Sequence, residues 1–406
     1  MPSRAATISG MLGIKNGVVT HGDRAQTLRG QRATLPQVLR EYKIPAIAVS
    51  SFGRHPAPWF YVGWNEYFDP IDRPELSFQQ IAGEVVVNRA IQWLKENREK
   101  KDFYLYVQLW DPHSAYEAPR SFVDAARNEF YPEYPTAAEI ASHQDDQYWR
   151  SAPGMGIETH DDWKRMIDEY DGEIRYADHQ VGRLLDVLQE VVPDDELLVI
   201  LSADHGEEHG EHRLYMEHWG VHNGTQRIPL VIHDFRRKEE GRIHAGFVYQ
   251  LDISATILEA FGIPIPPDWD SLSLLKQAST EVPERSYLVC GHGLYTAQRA
   301  VITRDWKLIR TYHPGLWEIP RIQLFRMDDV WERNDVVATH PEEVNRLDEL
   351  LRAWEEEHRV GYDPMMVNAV EGPAGARGAR NWTQRFQSDG VSASCVRPER
   401  KPEPND

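Results

Sequence analysis

The stretch Leu197-Leu198-Val199-Ile200-Leu201-Ser202-Ala203-Asp204-His205-Gly206-Glu207 decides the reading of this chain. Its unbroken apolar run, closed by a polar turn, has the pattern of a strand buried on both faces, as in parallel sheets covered by helices. Ligands of such sheets gather beyond the carboxyl ends of the strands. Asp204 and His205 stand at that edge and offer an oxygen and a nitrogen to one divalent ion. Gly206 then lets the backbone turn sharply away. The plainer reading is a surface loop with incidental acidic residues; the strand in front of it favours the metal.

Three further runs share this texture, at 44–50, 103–110 and 228–233. Helical patterns lie between them. Ile167, Tyr170, Ile174, Ala177, Val181, Leu184 and Leu188 recur at spacings of three and four, one stripe along a helix that must stop before Pro193. Phe78, Ile81, Val85, Trp93 and Leu94 mark a second helix, and 252–260 a third, closed by Gly262 with Pro264 beyond. Strands alternating with helices predict an α/β fold, a mainly parallel central sheet flanked by helices, over 1–280. From 281 the texture changes to short strands at 287–290, 300–303, 307–311 and 323–326, followed by an amphipathic helix over 341–358. This predicts a small C-terminal antiparallel-sheet plus helix subdomain over 281–362. Residues 363–406, rich in Gly, Arg, Pro and Ser, predict an irregular tail.

The 406 residues allow two or three domains at ~100–200 residues each. Lys plus Arg is 45 against 64 for Asp plus Glu, a net charge of −19. That balance argues against a nucleic-acid or anionic-membrane partner, which needs clustered positive charge, but allows a local basic pocket. No run approaches the ~18 apolar residues of a membrane helix, and the first residues lack the apolar segment of a signal peptide. With only Cys290 and Cys395 there is no disulfide framework. A cytoplasmic location is the expectation, with an upstream signal left open.

Other residues could carry chemistry. The second strand ends Leu109-Trp110-Asp111-Pro112-His113, and the proline stiffens the backbone that aims His113 at the same sheet edge. His113 is a candidate general acid or anion donor, or a ring stacked on Trp110 or Tyr116. His218 shares one segment with His205, His209, His212 and His222; on spacing alone it reads as a solvated loop histidine. His205-Gly206-Glu207-Glu208-His209 also spells the H-x-x-E-H of inverted zinc peptidases. That chemistry needs both histidines on one helix face, and Gly206 and Gly210 disfavour a helix there. Trp59, Phe60, Tyr61 and Trp64 could stack on a sugar ring, although such clusters are more often core.

Taken together, these pieces resemble the sulfatase family of the alkaline phosphatase superfamily. Asp111-Pro112-His113 with Tyr116 and Ala118-Pro119 is similar to its strand-end histidine motif. The segment from Tyr170 to Tyr176 with Asp178, Val181 and Gly182 resembles its long helix. Ser202 to Glu207, Gly210-Glu211-His212 and Arg227-Ile228-Pro229-Leu230 resemble its metal-binding strand and the segment after it. Leu251 to Leu258, Trp306 to Arg310, and Leu324-Phe325 through Asp335 resemble the following helix and the C-terminal subdomain.

The resemblance gives Met1-Pro2-Ser3-Arg4 a meaning. Sulfatases carry Cys-x-Pro-Ser-Arg at the start of a central helix, with the cysteine oxidised to formylglycine, so this chain would begin one residue after its nucleophile. The first strand of the family, bearing an acidic pair of metal ligands, would also lie upstream. The expectation is a start placed too late or a truncated gene, and a poorly soluble chain with an exposed sheet edge. An inactive remnant is therefore one alternative.

The activity implied is hydrolysis of a sulfate monoester, on a small molecule or carbohydrate, with the formylglycine-generating enzyme as a partner. Asp204 and His205 would be metal ligands, Arg4 would hold the hydrated aldehyde or a ligand oxygen, and His113 would contact the sulfate and leaving group. His218 occupies the place of a family lysine, and Arg54-His55 is a loose counterpart of a Gly-Lys-x-His motif. Calcium is the first choice of ion; an Asp-His pair also suits manganese or zinc, as in a phosphodiester or phosphonate monoester hydrolase of the same superfamily.

Overall fold

The structure, a computed structural model, describes residues 1–21, 28–29, 33–55, 57–70, 81–114, 116–127, 130–143, 157–193, 196–236, 241, 243–277 and 285–377. Strands β1 (Ala46–Val49), β2 (Glu66–Phe68) and β3 (Tyr104–Val107) form a parallel sheet in the order β2-β1-β3. All four residues of β1 are fully buried, and they alternate between two cores. Ala46 and Ala48 face one layer, with Ala5 and Ile8 of helix Pro2–Ser9, Leu35 and Leu39 of helix Leu35–Glu41, and Ile257 and Leu258 of helix Asp252–Ala260. On the opposite face, Ile47 meets Trp93 and Leu94 of helix Gly83–Glu96 and Leu184 and Leu188 of helix His160–Val191. Helices therefore cover both faces, which is the α/β arrangement the apolar runs predict.

β4 (Leu198–Ser202) and β7 (Leu230–Asp234) pair antiparallel, so the parallel order holds for β1 to β3 and not here. Ile200 and Leu230 pack on the same core as Ala46 and Ala48, which brings the end of β4 to the edge where β1 and β3 finish. Between them in sequence, β5 (Glu208–His209) and β6 (Tyr215–Glu217) form a small antiparallel pair.

The helix His160–Val191 starts on a capping box in which the Thr159 side chain and Asp162 exchange bonds with each other's backbone N–H. Its buried stripe differs from the spacing-based one: Ile174 is 44% exposed, and its neighbour Glu173 is inside. Of the second predicted helix, Ile81 lies just before the observed start at Gly83, and Phe78 lies outside the described residues.

The appendage is an antiparallel sheet of β8 (Leu288–His292), β9 (Ala297–Ile302), β10 (Trp306–His313) and β11 (Ile322–Arg326), in the order β11-β10-β9-β8. One face, with Val301, Leu308 and Leu324, packs on Leu347, Leu351 and Trp354 of helix Pro341–His358 and on Leu12 and Ile14. The other face, with Ala300, Ile309 and Phe325, covers Val221. The sheet thus buttresses the segment that bears His218. Part of the predicted tail is ordered: Pro364–Glu371 is a helix whose Met365 is buried against Val19 and Ala297. Residues 378–406 of that tail lie outside the described residues. Among the described residues no helix is long and apolar enough to cross a membrane.

Candidate active site

Helix Pro2–Ser9 opens at the carboxyl edge of the sheet, with proline in its first turn where the missing N–H costs nothing. Arg4 is charged yet buried. Its Nη2 lies 2.9 Å from Asp204 Oδ2, its Nη1 donates to the Tyr106 hydroxyl at 2.8 Å, and its guanidinium sits 4.5 Å from the Phe52 ring centroid. Asp204 follows β4, Tyr106 is on β3 and Phe52 follows β1, so the ends of these strands converge on one guanidinium. Burial works against the charge of the Asp204 carboxyl, but Arg4 and then His205 outweigh it and hold the group well below the usual carboxylate range.

Imidazoles surround this pair. The rings of His205 and His218 stack with centroids 4.0 Å apart. His21 is 6.0 Å from His218 and 5.7 Å from His55, and His292 meets His218 edge-on at 6.2 Å. Burial pushes both His205 and His55 down to about 4, and pushes His21 and His292 well below the ordinary value. These four rings are neutral at pH 7. The Met1 nitrogen lies 3.0 Å from His21 Nε2.

The sequence-predicted residues are placed unequally. Arg4, Asp204, His205, His218 and His55 come together. His113 is half-buried on the rim, edge-on to Trp110 at 5.6 Å, and Trp110 is 6.0 Å from His55. Arg54 turns to Asp69 at 2.7 Å, so its charge is spent outside the cluster. Among the described residues, His21, His292 and Tyr106 join the site without any local signal, since only the fold brings these distant positions together. Trp59, Phe60 and Trp64 are core, and only Tyr61 of that group is exposed.

Asp204 and His205 fit a divalent ion. His205 Nδ1 bonds the Gly206 carbonyl at 2.9 Å, which leaves Nε2 with its lone pair 3.7 Å from Asp204 Oδ2. The inverted peptidase reading fails on geometry. Its segment is irregular backbone running into the short strand β5 rather than a helix, and His209 turns away to the Tyr116 hydroxyl at 3.2 Å and the Tyr170 ring at 4.3 Å.

A buried guanidinium–carboxylate pair ringed by imidazoles, at the edge of an alkaline-phosphatase-like sheet, is what these features define. The chain belongs to the sulfatase family, whose model, described as Sulfatase, matches residues 1–263. It is 29% identical over 195 residues to an arylsulfatase of Clostridium perfringens, a match covering 47% of this chain and 40% of that enzyme. The chain thus spans less than half of that relative's length. Its fold is similar to a structure solved with its substrate D-glucosamine-2-N,6-O-disulfate, with TM-score 0.70, 17% identity, and 89% of each chain covered. It is equally similar to the phosphonate monoester hydrolase of Silicibacter pomeroyi, with TM-score 0.69, 16% identity, and 89% and 86% covered.

Proposed function

We propose that this site binds a sulfate monoester and serves its hydrolysis. The observation that carries the reading is the Arg4–Asp204 pair, a buried cation fixed at a helix N-terminus and ringed by imidazoles. A guanidinium so held is aimed before the ester arrives, and preorganised donors of this kind stabilise charge that develops on the sulfate oxygens. The amino end of helix Pro2–Ser9 adds to that field.

Asp204 and His205 would hold the divalent ion, calcium first with manganese or zinc as alternatives, and the bound ion supplies further charge stabilisation. The nucleophile of this reading is a formylglycine ahead of Met1, as the family resemblance implies. His218, stacked on His205, faces the pocket from the buttressed segment and would hand a proton to the departing alcohol oxygen. His113 on the rim would bind the ester on the leaving-group side. His55 and His21, half-buried, and His292, buried, are all neutral, so they help keep bulk water out and leave Arg4 as the positive side chain of the cluster.

The substrate class we favour is a sulfated sugar, supported by the disulfated glucosamine bound in the similar structure described above. The second reading, a phosphonate monoester, is favoured by the Asp-His donor pair. To test them, the chain would be preceded by the strand and cysteine that the resemblance implies and made together with a formylglycine-generating enzyme. The expectation is faster turnover of 4-nitrophenyl sulfate than of 4-nitrophenyl phenylphosphonate; the reverse order would replace the sulfatase reading.

A further inference from the structure

Away from the Arg4–Asp204 pocket, Glu208, His212 and His222 bring one carboxylate oxygen and two ring nitrogens within 4.8 Å of one another. Glu208 is fully buried. Its Oε1 accepts from the Thr225 hydroxyl at 3.2 Å, and its Oε2 has no hydrogen-bond partner among the described residues. Both ring nitrogens of buried His222 are likewise unpartnered, as is His212 Nδ1. Buried polar atoms left this way cost on the order of 1–3 kcal/mol each, and a cluster of them needs an explanation.

The donors are arranged as metal ligands usually are. His212 Nε2 bonds the Glu332 carbonyl at 3.1 Å, so that nitrogen carries the proton and Nδ1 presents a bare lone pair. His212 Nδ1 lies 3.7 Å from Glu208 Oε2. Ligands at ~2.1 Å around tetrahedral zinc are roughly 3.4 Å apart, so this edge needs little closing. The rings of His212 and His222 stack face to face with centroids 3.8 Å apart. A Cβ at Gly224 would touch the Glu208 carboxylate, so the glycine keeps that oxygen reachable.

We propose that Glu208, His212 and His222 form a zinc site distinct from the pair at Asp204 and His205. Two imidazoles and one carboxylate select a late first-row cation over calcium. Its task is structural. His212 and His222 bracket the segment that presents His218, and Glu332 behind His212 is paired with buried Lys307 of β10 at 2.6 Å. A zinc there would clamp that segment to the C-terminal sheet.

The test is zinc content by mass spectrometry after equilibrium dialysis, on the chain carrying Asp204→Asn and His205→Gln so that the first pair is silent. One zinc per chain is expected, lost when His222→Gln or the near-isosteric Glu208→Gln is added. A folded double variant that holds no zinc would overturn the proposal, as would zinc retained in both added variants. Should both of those fail to fold, cobalt(II) titrated into the double variant decides it. Visible bands of a low-coordinate, imidazole-bound ion support the site, and a purely octahedral aqueous spectrum refutes it. EDTA should also lower the melting temperature of the double variant, and an unchanged value counts against the clamp.

Discussion

Replacing Glu173 by Gln should change the pH dependence of stability more than stability itself. Glu173 is only 3% exposed on the inner face of helix His160–Val191, where its carboxylate accepts the backbone N–H groups of Glu117 and Ala118. Burial, and then the facing Asp111 carboxyl, push Glu173 up to about 8 from an ordinary 4.5. At neutral pH the folded protein therefore holds a proton that the unfolded chain has released. The stability tied to it is complete below about 4.5 and lost as pH rises through about 8. One proton corresponds to about 1.4 kcal/mol per pH unit, so up to about 5 kcal/mol disappears across this window. Gln keeps the acceptor oxygen for both N–H groups and offers its own N–H to Asp111, without the titration. Urea unfolding at several pH values between 5 and 8 should show the variant gaining about 1.4 kcal/mol per pH unit on the parent chain. Parallel profiles would refute a shared proton between Asp111 and Glu173.

Arg299→Lys keeps the charge but loses the fork that Arg299 makes with both Asp363 oxygens at 2.6 Å, so it should cost about 2–3 kcal/mol in denaturant unfolding. Gly206→Ala should cost about 3 kcal/mol or more by the same assay, because its Cβ would strike the Gly224 carbonyl. Leu308→Ala, at a fully buried position between the C-terminal sheet and helix Pro341–His358, should cost about 2–5 kcal/mol, read as a lower denaturant midpoint.

Much of the fold was legible because apolar runs mark strands. The strands at 46–49, 104–107, 198–202 and 230–234 and the helices at 252–260 and 341–358 fall where those patterns place them. Of these four strands only β1 is buried on both faces: Leu201 of β4 is 39% exposed and Val231 of β7 56%, because their antiparallel pair is not covered on its second face. The direction of β7 was not, since an apolar run carries no sign of whether its neighbour is parallel. Glu173 was hidden because its burial depends on two N–H groups some 55 residues away, which no helical period records. The position of Asp204 and His205 just beyond the end of a strand was legible from the apolar run before them. The pairing of Arg54 with Asp69, fifteen residues on, was not legible, since no local pattern links the two. His212 and His222 were visible only as members of a histidine-rich segment; their pairing depends on the turn at Gly210, which has φ 107°, and on the backbone of Glu332.

The most direct test of the account is the binding of 4-nitrophenyl sulfate to this chain in saturating calcium, before and after Arg4→Gln, followed by calorimetry. A charge-assisted bond of about 1.5–3 kcal/mol predicts affinity lower by roughly 10- to 150-fold in a variant that still folds. Equal affinity in the two proteins would mean that the buried Arg4–Asp204 pair is a structural ion pair, and that the sulfate ester is bound elsewhere.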